Sequence, residues 1–563
     1  MLALGADSAL LWQSRLIEQY HSNPLSTPLS SDEIMRVLLV YPLFPPTFWS
    51  YEKILELVNR KVLLPPLGLV TVAAILPQTW EFKLVDRNIR AVTEDEWAWA
   101  DLVLCSAMIV QKEDLLDQIR EAKHRQKLVA VGGPYATSVP AEVQAAGADF
   151  LILDEGEITL PMFIAAIERG ETQGVFRATE KPDVTITPVP RYDLLEMAQY
   201  DSMSVQFSRG CPFQCEFCDI IVLYGRKPRT KTPAQLLKEL DYLYELGWRR
   251  GVFMVDDNFI GNKRNVKLLL KELKVWQAEH GYPFRFNTEA SVDLADDQEL
   301  MELMVDCYFD AVFLGIETPD EESLQLTKKF QNTRTSLADS IDKIIRTGLR
   351  PMAGFIIGFD GEQKGAGDRI IRFAEQATIP TTTFAMLQAL PNTALWHRLE
   401  KEGRLRANKD GNINQTTLMN FMPTRPLEDI ATEYVQAFWQ LYDPHLYLDR
   451  IYRCFLKLGP PRCHPPAQLP RWTDIKALAI VVWRQGIKRD TRWRFWHHLL
   501  GILRQNPAVF EHYLTLCAHN EHFLQYRTIV RQQIEAQLQE YLAGQGQQSP
   551  LVSTAVPETA LAS

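Results

Sequence analysis

Three cysteines in one short loop are the residues of this sequence most able to do chemistry. Cys211, Cys215 and Cys218 lie in the segment 207–220, FSRGCPFQCEFCDI, at a C-x3-C-x2-C spacing. Three thiolates this close together can ligate three irons of a cubane iron–sulfur cluster. The fourth iron then has no protein ligand and is free to bind a small molecule.

A structural zinc site is the alternative for the same cysteines. Structural zinc is normally held by four protein ligands at short spacing, and a three-ligand catalytic zinc more often uses histidine or carboxylate. The next cysteine along the chain is Cys307, and no histidine lies near the loop. Because the ligand count falls one short of structural zinc, the sequence favours the open cluster.

The loop resembles the signature of the radical S-adenosylmethionine superfamily, which has this spacing with an aromatic residue before the last cysteine, here Phe217. The resemblance implies a 4Fe-4S cluster whose open iron chelates the amino and carboxylate groups of S-adenosylmethionine. An electron from the cluster would then cleave the sulfonium and release a 5′-deoxyadenosyl radical. It also implies an external one-electron donor of the flavodoxin or ferredoxin type.

Length and composition limit the class of protein. The 563 residues suggest three or four domains, and the formal net charge of −10 argues against general nucleic-acid binding. The other five cysteines are scattered, which indicates free thiols in a reducing, cytoplasmic setting. No apolar run approaches the ~18 residues that span a bilayer. Residues 1–34 are predicted to be a loose extension and residues 544–563 a disordered tail.

Apolar runs of strand length alternate with helical segments between residues 35 and 170, which predicts a doubly wound parallel sheet. The predicted strands are 35–40, 82–86, 102–106, 128–132 and 150–153. Ligands of such sheets bind beyond the carboxyl ends of the strands. Here those ends carry the segments 41–42, 106–108 and 132–134, although a Gly-Gly pair after a strand is also typical of an ordinary turn.

This arrangement resembles the Rossmann-like cobalamin-binding domain that precedes many radical enzymes. The matching pieces are PPLGL after the first strand, the glycine turn at 132–134 and the sequence DEGE at 154–157. The resemblance implies that cobalamin is contacted by Ser106, Met108, Gln111, Gly132 and Gly133. Residues 42–50, PLFPPTFWS, lack the Asp-x-His-x-x-Gly loop that places histidine on cobalt in many cobalamin proteins. We therefore expect base-off cobalamin, with residues 108–111 at its lower face.

Residues 171–200 are predicted to be an extended linker, and strands alternate with helices again over 201–400. The predicted strands are 204–207, 251–255, 285–289, 311–316, 350–357 and 382–387. Six βα units are too few for an eightfold barrel. They resemble the partial (β/α)6 barrel of radical S-adenosylmethionine enzymes.

Polar residues follow the ends of these strands, which is where a barrel displays its chemistry. They are Asp256, Asp257, Asn258, Glu289, Ser291 and Glu317. Asp and Asn are also common in turns and helix caps, so a structural role for 256–258 stays open. The resemblance implies instead that these strand ends contact S-adenosylmethionine, with the loop 256–258 meeting its ammonium group. Glu289 and Ser291 are expected to meet its ribose hydroxyls or the same ammonium group.

A mainly helical domain is predicted over 401–543. Its segment 471–504 is rich in tryptophan and holds eight Lys or Arg against two Asp or Glu. One interpretation is a helical cap over the barrel with a solvated basic face. The other is a peripheral contact with an anionic membrane surface.

The motifs GCPFQCEFCDI, VDDNFI, GIETP and LQALPNTALW together resemble the subfamily that contains the bacterial hopanoid C-2 methylase. This implies a methyltransferase that moves a methyl group from S-adenosylmethionine, through methylcobalamin, to an unactivated carbon of a small molecule or lipid. Two alternatives stay open. One is a cobalamin-binding radical enzyme that cyclises or rearranges its substrate without methyl transfer, and the other is a non-catalytic iron–sulfur protein that binds a ligand.

Overall fold

The computed structural model describes residues 34–326, 328–333, 335–406, 413–463, 465–466 and 472–546. The predicted N-terminal extension and C-terminal tail therefore lie almost wholly outside the described residues. Within them, the predicted order of an α/β domain, a second α/β domain and a helical domain is confirmed.

The first domain is built on six parallel strands. They are β1 (Arg36–Tyr41), β2 (Glu81–Asp86), β3 (Leu102–Ser106), β4 (Leu128–Gly132), β5 (Phe150–Ile152) and β6 (Gly174–Phe176), in the order β2-β1-β3-β4-β5-β6. The accompanying helices are α1 (Glu52–Leu55), α2 (Leu67–Ile75), α3 (Glu94–Trp99), α4 (Lys112–His124), α5 (Gly133–Ser138), α6 (Pro140–Ala145) and α7 (Gly156–Glu168). Alternate residues of β1 pack into two separate cores, one on each face of the sheet. This explains why the strand sequence is apolar throughout.

The predicted linker at 171–200 differs from the structure at one point. Strand β6 lies inside it and pairs in parallel with β5, so the sheet extends to Phe176. The strand is only three residues long and none of them is buried, so it lacks the apolar run that identified the other strands.

The second domain is a partial barrel of six parallel strands. They are β7 (Ser202–Val205), β10 (Gly251–Met254), β11 (Arg285–Ala290), β12 (Phe309–Glu317), β13 (Arg350–Ile357) and β14 (Thr381–Met386), paired in chain order. A short antiparallel pair, β8 (Ser208–Arg209) and β9 (Arg229–Thr230), stands beside β7. The helices are α8 (Ile220–Leu223), α9 (Pro233–Glu245), α10 (Lys263–Glu279), α11 (Gln298–Asp306), α12 (Glu321–Leu326), α13 (Leu337–Thr347), α14 (Ala366–Gln376) and α15 (Ala394–Lys401). This confirms the predicted (β/α)6 architecture.

The C-terminal domain is helical, as predicted. It contains α16 (Leu427–Leu441), α17 (Pro444–Lys457), α18 (Trp472–Trp483), α19 (Arg492–Gln505) and α20 (Phe510–Gly546). A π-helical turn, Arg484–Lys488, joins α18 to α19. Among the described residues, no helix combines the length and the apolar content needed to cross a bilayer.

The gap left by the missing barrel strands is filled by the first domain. Val62 forms a parallel bridge with Tyr200, just before β7 at one edge of the barrel. At the other edge, the ring of Phe48 lies 5.8 Å from that of Tyr442, whose hydroxyl hydrogen-bonds to β14, and stacks on Phe523 of α20 at 4.9 Å. The segment 48–62 therefore runs between the two open edges of the barrel.

Candidate active site between the two parallel sheets

The three cysteines lie on a loop whose base is fixed by the β8–β9 pair. The backbone N–H of Cys211 donates to the carbonyl of Gly225 at 3.2 Å. Gly210, just before it, has φ +92°, and a Cβ there would lie 2.8 Å from the same carbonyl. The loop therefore requires glycine at this position.

Amide side chains from two other loops reach the cysteine sulfurs. The Nδ2 of Asn258 lies 3.8 Å from the Sγ of Cys211, and the Nε2 of Gln331 lies 3.8 Å from the Sγ of Cys215. Burial raises the pKa of all three site cysteines. Buried thiols with N–H donors to sulfur are typical of metal-thiolate sites, where the metal stabilises the thiolate. The residues present therefore fit an iron–sulfur cluster.

The zinc interpretation requires the three sulfurs to converge on one ion. In the described part of the chain, no group of three Cys, His, Asp or Glu side chains is arranged to hold a single metal ion. Cysteines that each ligate a different iron of a cubane need no such convergence. The preference for the cluster over zinc therefore rests on the ligand count, which falls one short of structural zinc.

Asp256 and Asp257 support the cysteine loop from below. The fully buried Asp256 carboxylate accepts hydrogen bonds from the backbone N–H of Phe207 at 2.8 Å and of Ser208 at 2.7 Å. Asp257 accepts from the N–H of Gly210 at 3.1 Å. Burial raises the pKa of Asp256 to about 7 and that of Asp257 to about 6. These contacts fit the structural interpretation of the pair, and Asn258 is the member of the motif that reaches a cysteine.

Glu289 is the acidic group that stays available to a ligand. Residues of β11 alternate between half-buried and buried, and Glu289 lies on the half-buried face, which lines the barrel lumen. In the described residues its carboxylate forms no hydrogen bond or ion pair, and burial raises its pKa to about 7. Ser291 lies beside it, and its hydroxyl accepts from Asn258 at 3.2 Å. A carboxylate without a protein partner fits the predicted contact with an ammonium group.

Glu317 already has a partner. Its carboxylate forms an ion pair with the buried ammonium of Lys329, and that ammonium lies 5.9 Å from the centroid of the Phe217 ring. No sequence motif points to Lys329 or Gln331. Both lie in the loop after α12, in the sequence TKKFQN, which has no recognisable motif.

The cleft above the first sheet is shaped by its two glycines. Gly133 has φ +88°, and a Cβ there would lie 2.3 Å from the Oγ of Ser106. A Cβ on Gly132 would lie 2.9 Å from the carbonyl of Ile152. Packing against the protein's own atoms therefore requires glycine at the carboxyl end of β4, and this bare backbone is the cradle predicted for cobalamin.

Met108 and Gln111 have different roles in this cleft. Both ends of the buried Gln111 amide are used within the protein, since it donates to the carbonyl of Pro42 at 2.6 Å and accepts from the N–H of Met108 at 3.0 Å. The Met108 side chain is 40% exposed. Gln111 therefore joins two loops of the cleft, and Met108 is the more exposed of the two side chains, while its contact with cobalamin stays a prediction.

Gly133→Ala is expected to weaken cobalamin retention at least about tenfold and to destabilise the domain by about 1–3 kcal/mol, because alanine is strained at this backbone conformation. Cobalamin absorbance after gel filtration measures the first effect, and urea unfolding measures the second. Gly170→Ala, just after α7, is the matched control, because Gly170 has a similar φ of +76° and its Cβ would meet nothing within 4 Å. Equal cobalamin content in the two variants would contradict the assigned cradle.

A buried ion-pair network joins the cleft to the cysteine loop. Arg209, next to the loop, contacts Glu155 at 2.9 Å and Glu157 at 2.8 Å, and Arg229 contacts Glu155 at 2.8 Å. Both carboxylates follow β5 in the first domain. The carboxyl ends of the two sheets therefore face each other across this network, which we call the interdomain latch.

Comparison with known proteins defines the class. A model described as "Radical SAM superfamily" matches residues 205–374, and one described as "B12 binding domain" matches residues 56–164. A third, "Domain of unknown function (DUF4070)", matches residues 393–536. These matches coincide with the barrel, the first sheet and the helical domain.

Relatives of the whole chain agree with this class. An uncharacterised methyltransferase of Synechocystis sp. is 79% identical over 528 residues, which is 94% of this chain and 98% of the relative. The hopanoid C-2 methylase of Rhodopseudomonas palustris is 35% identical over 475 residues, covering 83% and 89% of the two chains. The chain belongs to the cobalamin-binding radical S-adenosylmethionine family.

The fold also resembles a solved structure of that kind. The radical S-adenosylmethionine methyltransferase TsrM from Kitasatospora setae, with cobalamin and a 4Fe-4S cluster bound, superimposes with a TM-score of 0.57 at 15% identity, covering 90% of this chain and all of that one. The chain is a cobalamin-dependent radical S-adenosylmethionine methyltransferase. The predicted class and cofactors are thus confirmed, and the individual contacts to S-adenosylmethionine and cobalamin stay predictions.

Proposed function

We propose that this methyltransferase acts on a polycyclic membrane lipid of the hopanoid type, with electrons supplied by a flavodoxin or ferredoxin. The observation that carries the lipid proposal is a group of apolar and aromatic side chains on the lumen faces of β12 and β13. Trp49, from the segment that fills the barrel gap, contacts Phe313 of β12 with ring centroids 5.9 Å apart. Met352 and Ile356 are half-buried and lie on the same face of β13 as Gly354. A Cβ built at Gly354 would lie 3.0 Å from the Phe313 ring, so this face adjoins the ring.

These side chains suit a rigid hydrocarbon better than a polar metabolite. Apolar and aromatic walls dominate sites for apolar ligands, with few polar groups to fix orientation. The relative named hopanoid C-2 methylase supports the same class of substrate.

The chain's own residues supply placement and protection. When bound, the cluster and the cobalamin supply the radical and the methyl group. Asn258 and Gln331 orient the thiolates through their N–H donors, and Glu289 offers its carboxylate to an ammonium group. Trp49 and Phe313 exclude water from the lumen, which protects a reactive radical.

The proposal is tested with reconstituted holoenzyme, methyl-labelled S-adenosylmethionine and an extract of unmethylated hopanoids under anaerobic, reducing conditions. We expect label in a hopanoid product, together with 5′-deoxyadenosine. A deletion strain should lack the corresponding methylated lipid. Turnover of S-adenosylmethionine with no label in any lipid would contradict the proposed substrate, and label in no product at all would favour a cyclase or rearrangement.

Trp49→Ala is expected to raise the KM for the lipid about tenfold, because the lumen loses one of its aromatic walls. Release of 5′-deoxyadenosine without substrate should stay near the wild-type rate, since Trp49 does not contact the cysteine loop. Trp80→Ala is the control, because Trp80 is also half-buried but lies just before β2, at the opposite end of its sheet. Equal KM values for the two variants would remove Trp49 from the substrate site.

A further inference from the structure

Helices α18 and α19 expose a concentration of large apolar side chains. Of the exposed large hydrophobic residues in the described chain, no other stretch of similar length holds as many. They are Trp472, Ile475, Leu478, Trp483, Ile487, Trp493, Leu500 and Leu503. Trp472 and Trp493 are 78% and 75% exposed. Exposed apolar side chains concentrated in this way indicate an interaction site.

Helix α18 is unusual because it is apolar around most of its circumference and yet lies at the surface. Its sequence is WTDIKALAIVVW, and Val481 is its one buried residue. A helix that is apolar all round is ordinarily buried in a protein core or in lipid. Trp472, Ile475 and Trp483 fall within about 80° of one another on a helix of 3.6 residues per turn, so they form one stripe.

Basic side chains flank this apolar surface. Lys476 is exposed on α18 and Lys488 is exposed on the π-helical turn. Arg492 and Arg504 are exposed on α19. The same segments expose two acidic residues, Asp474 and Asp490. The net positive charge of the segment contrasts with the net charge of −10 of the whole chain. Tryptophan and lysine side by side are typical of surfaces that lie at the headgroup level of a membrane.

We propose that helices α18 and α19, with the π-helical turn between them, bind the surface of an anionic lipid membrane. We call this surface the membrane face. Its tryptophans and aliphatic side chains would insert at the headgroup boundary, and its lysines and arginines would neutralise lipid phosphates. A protein partner with acidic residues would match the charge of this surface. The apolar circumference of α18 favours the membrane, because a helix that is apolar all round is typical of contact with lipid.

Helix α18 packs its inner side on the segment that fills the barrel gap. Val481 and Arg484 line a groove together with Ile54 and Leu57 of the segment 48–62. Val481 lies on the side of α18 opposite the stripe of Trp472, Ile475 and Trp483 on a helix of 3.6 residues per turn. The stripe therefore faces away from the barrel, on the side where a membrane can reach it.

The test is vesicle flotation of the full-length, reconstituted enzyme. One set of vesicles contains phosphatidylcholine alone and the other contains phosphatidylcholine with phosphatidylglycerol. Wild type is expected to float with the anionic vesicles and at least about tenfold less with the neutral ones. Trp472→Ser with Trp483→Ser should reduce anionic binding at least about tenfold, and Lys476→Glu with Lys488→Glu should reduce it and its salt dependence.

Leu268→Ser with Val275→Ser in α10 is the matched control, because those two residues are 51% and 56% exposed on another part of the surface. Thermal unfolding confirms that each variant folds. Anionic binding equal to wild type in the tryptophan variant would overturn the proposal. Two results together would also overturn it: wild type self-associates through the same tryptophans in the absence of vesicles, and it does not float when vesicles are present. Substrate takes no part in flotation, so its result is independent of whether the lipid is methylated.

Discussion

Cys215→Ala should abolish reductive cleavage of S-adenosylmethionine while leaving the cobalamin domain folded. Release of 5′-deoxyadenosine is expected to fall by about 10³-fold or more, because the radical chemistry belongs to the cluster and the variant has two of its three thiolates. The assay is anaerobic reconstitution followed by reduction and quantification of 5′-deoxyadenosine. Retained cobalamin absorbance shows that the first domain is intact.

Cys307→Ala provides the control for the loss of a buried thiol. Cys307 is also buried, but its Sγ donates to the carbonyl of Leu270 at 3.1 Å in the shell of the barrel. Its loss should cost about 1–2 kcal/mol of stability and leave cleavage near the wild-type rate. Full cleavage of S-adenosylmethionine in the Cys215 variant would contradict the three-thiolate assignment. An equal loss of cleavage in both variants would show that the loss comes from impaired folding.

The sequence predicted the strands well because each is an apolar run bounded by turn residues. It located the cysteine loop because three cysteines at that spacing have few other uses. Strand β6 was not predicted, because its three residues, GVF, are too few to form an apolar run and are not buried. The interpretation of 256–258 stayed divided because acidic residues after a strand suit a ligand and a turn equally, and only the geometry shows Asp256 turned toward the backbone of the cysteine loop.

Contacts between distant segments could not be predicted from one sequence. Gln331 lies 116 positions from Cys215, and no local pattern connects them. Trp49 lies in the loop 42–50, whose notable sequence feature is the absence of a cobalt-binding histidine. Its place at the lumen depends on how the first domain closes the barrel. Glu155 and Glu157 belong to the DEGE segment that resembles cobalamin-binding domains. In the structure they form ion pairs with Arg209 and Arg229 and so join the two domains.

The latch explains how one chain can keep two cofactor sites in register. The glycine cradle follows β4, the latch carboxylates follow β5, and Arg209 is two residues before Cys211. A second contact lies nearby, where the Nδ2 of Asn392 donates to the carbonyl of Ser138 at 3.0 Å. The cobalamin cleft and the cysteine loop are therefore tied by short connections, of which the latch is buried and the Asn392 contact is exposed. Transfer of a methyl group to a radical carbon requires this because a displacement of about 1 Å can cost about 100-fold in rate.

Arg209→Ala is expected to destabilise the protein by about 3–5 kcal/mol, because it leaves Glu157 buried without its cationic partner. Methyl transfer should fall much further than cleavage of S-adenosylmethionine, since the latch aligns the two domains and does not ligate the cluster. Urea unfolding at pH 7 measures the stability. The ratio of labelled lipid to 5′-deoxyadenosine measures the alignment. Arg120→Ala is the control, because the Arg120–Asp117 pair is 60% and 71% exposed and should contribute less than about 1 kcal/mol.

The pH dependence of stability separates the latch from a general packing effect. Burial alone would raise the pKa of Glu157, but the Arg209 guanidinium and its hydrogen bonds outweigh this and hold the pKa below its ordinary 4.5. Glu157 therefore stabilises the folded wild type at pH values above about 4.5, and this contribution is lost as the pH falls through its folded-state pKa. In Arg209→Ala the buried, unpaired carboxyl favours its neutral form, so its pKa is expected to rise above 4.5 and the stability difference from wild type should narrow as the pH falls from 7 through 4.5. A difference that stays constant from pH 7 to pH 4 would mean that Arg209 acts through packing, and the latch would then carry no charge-dependent role.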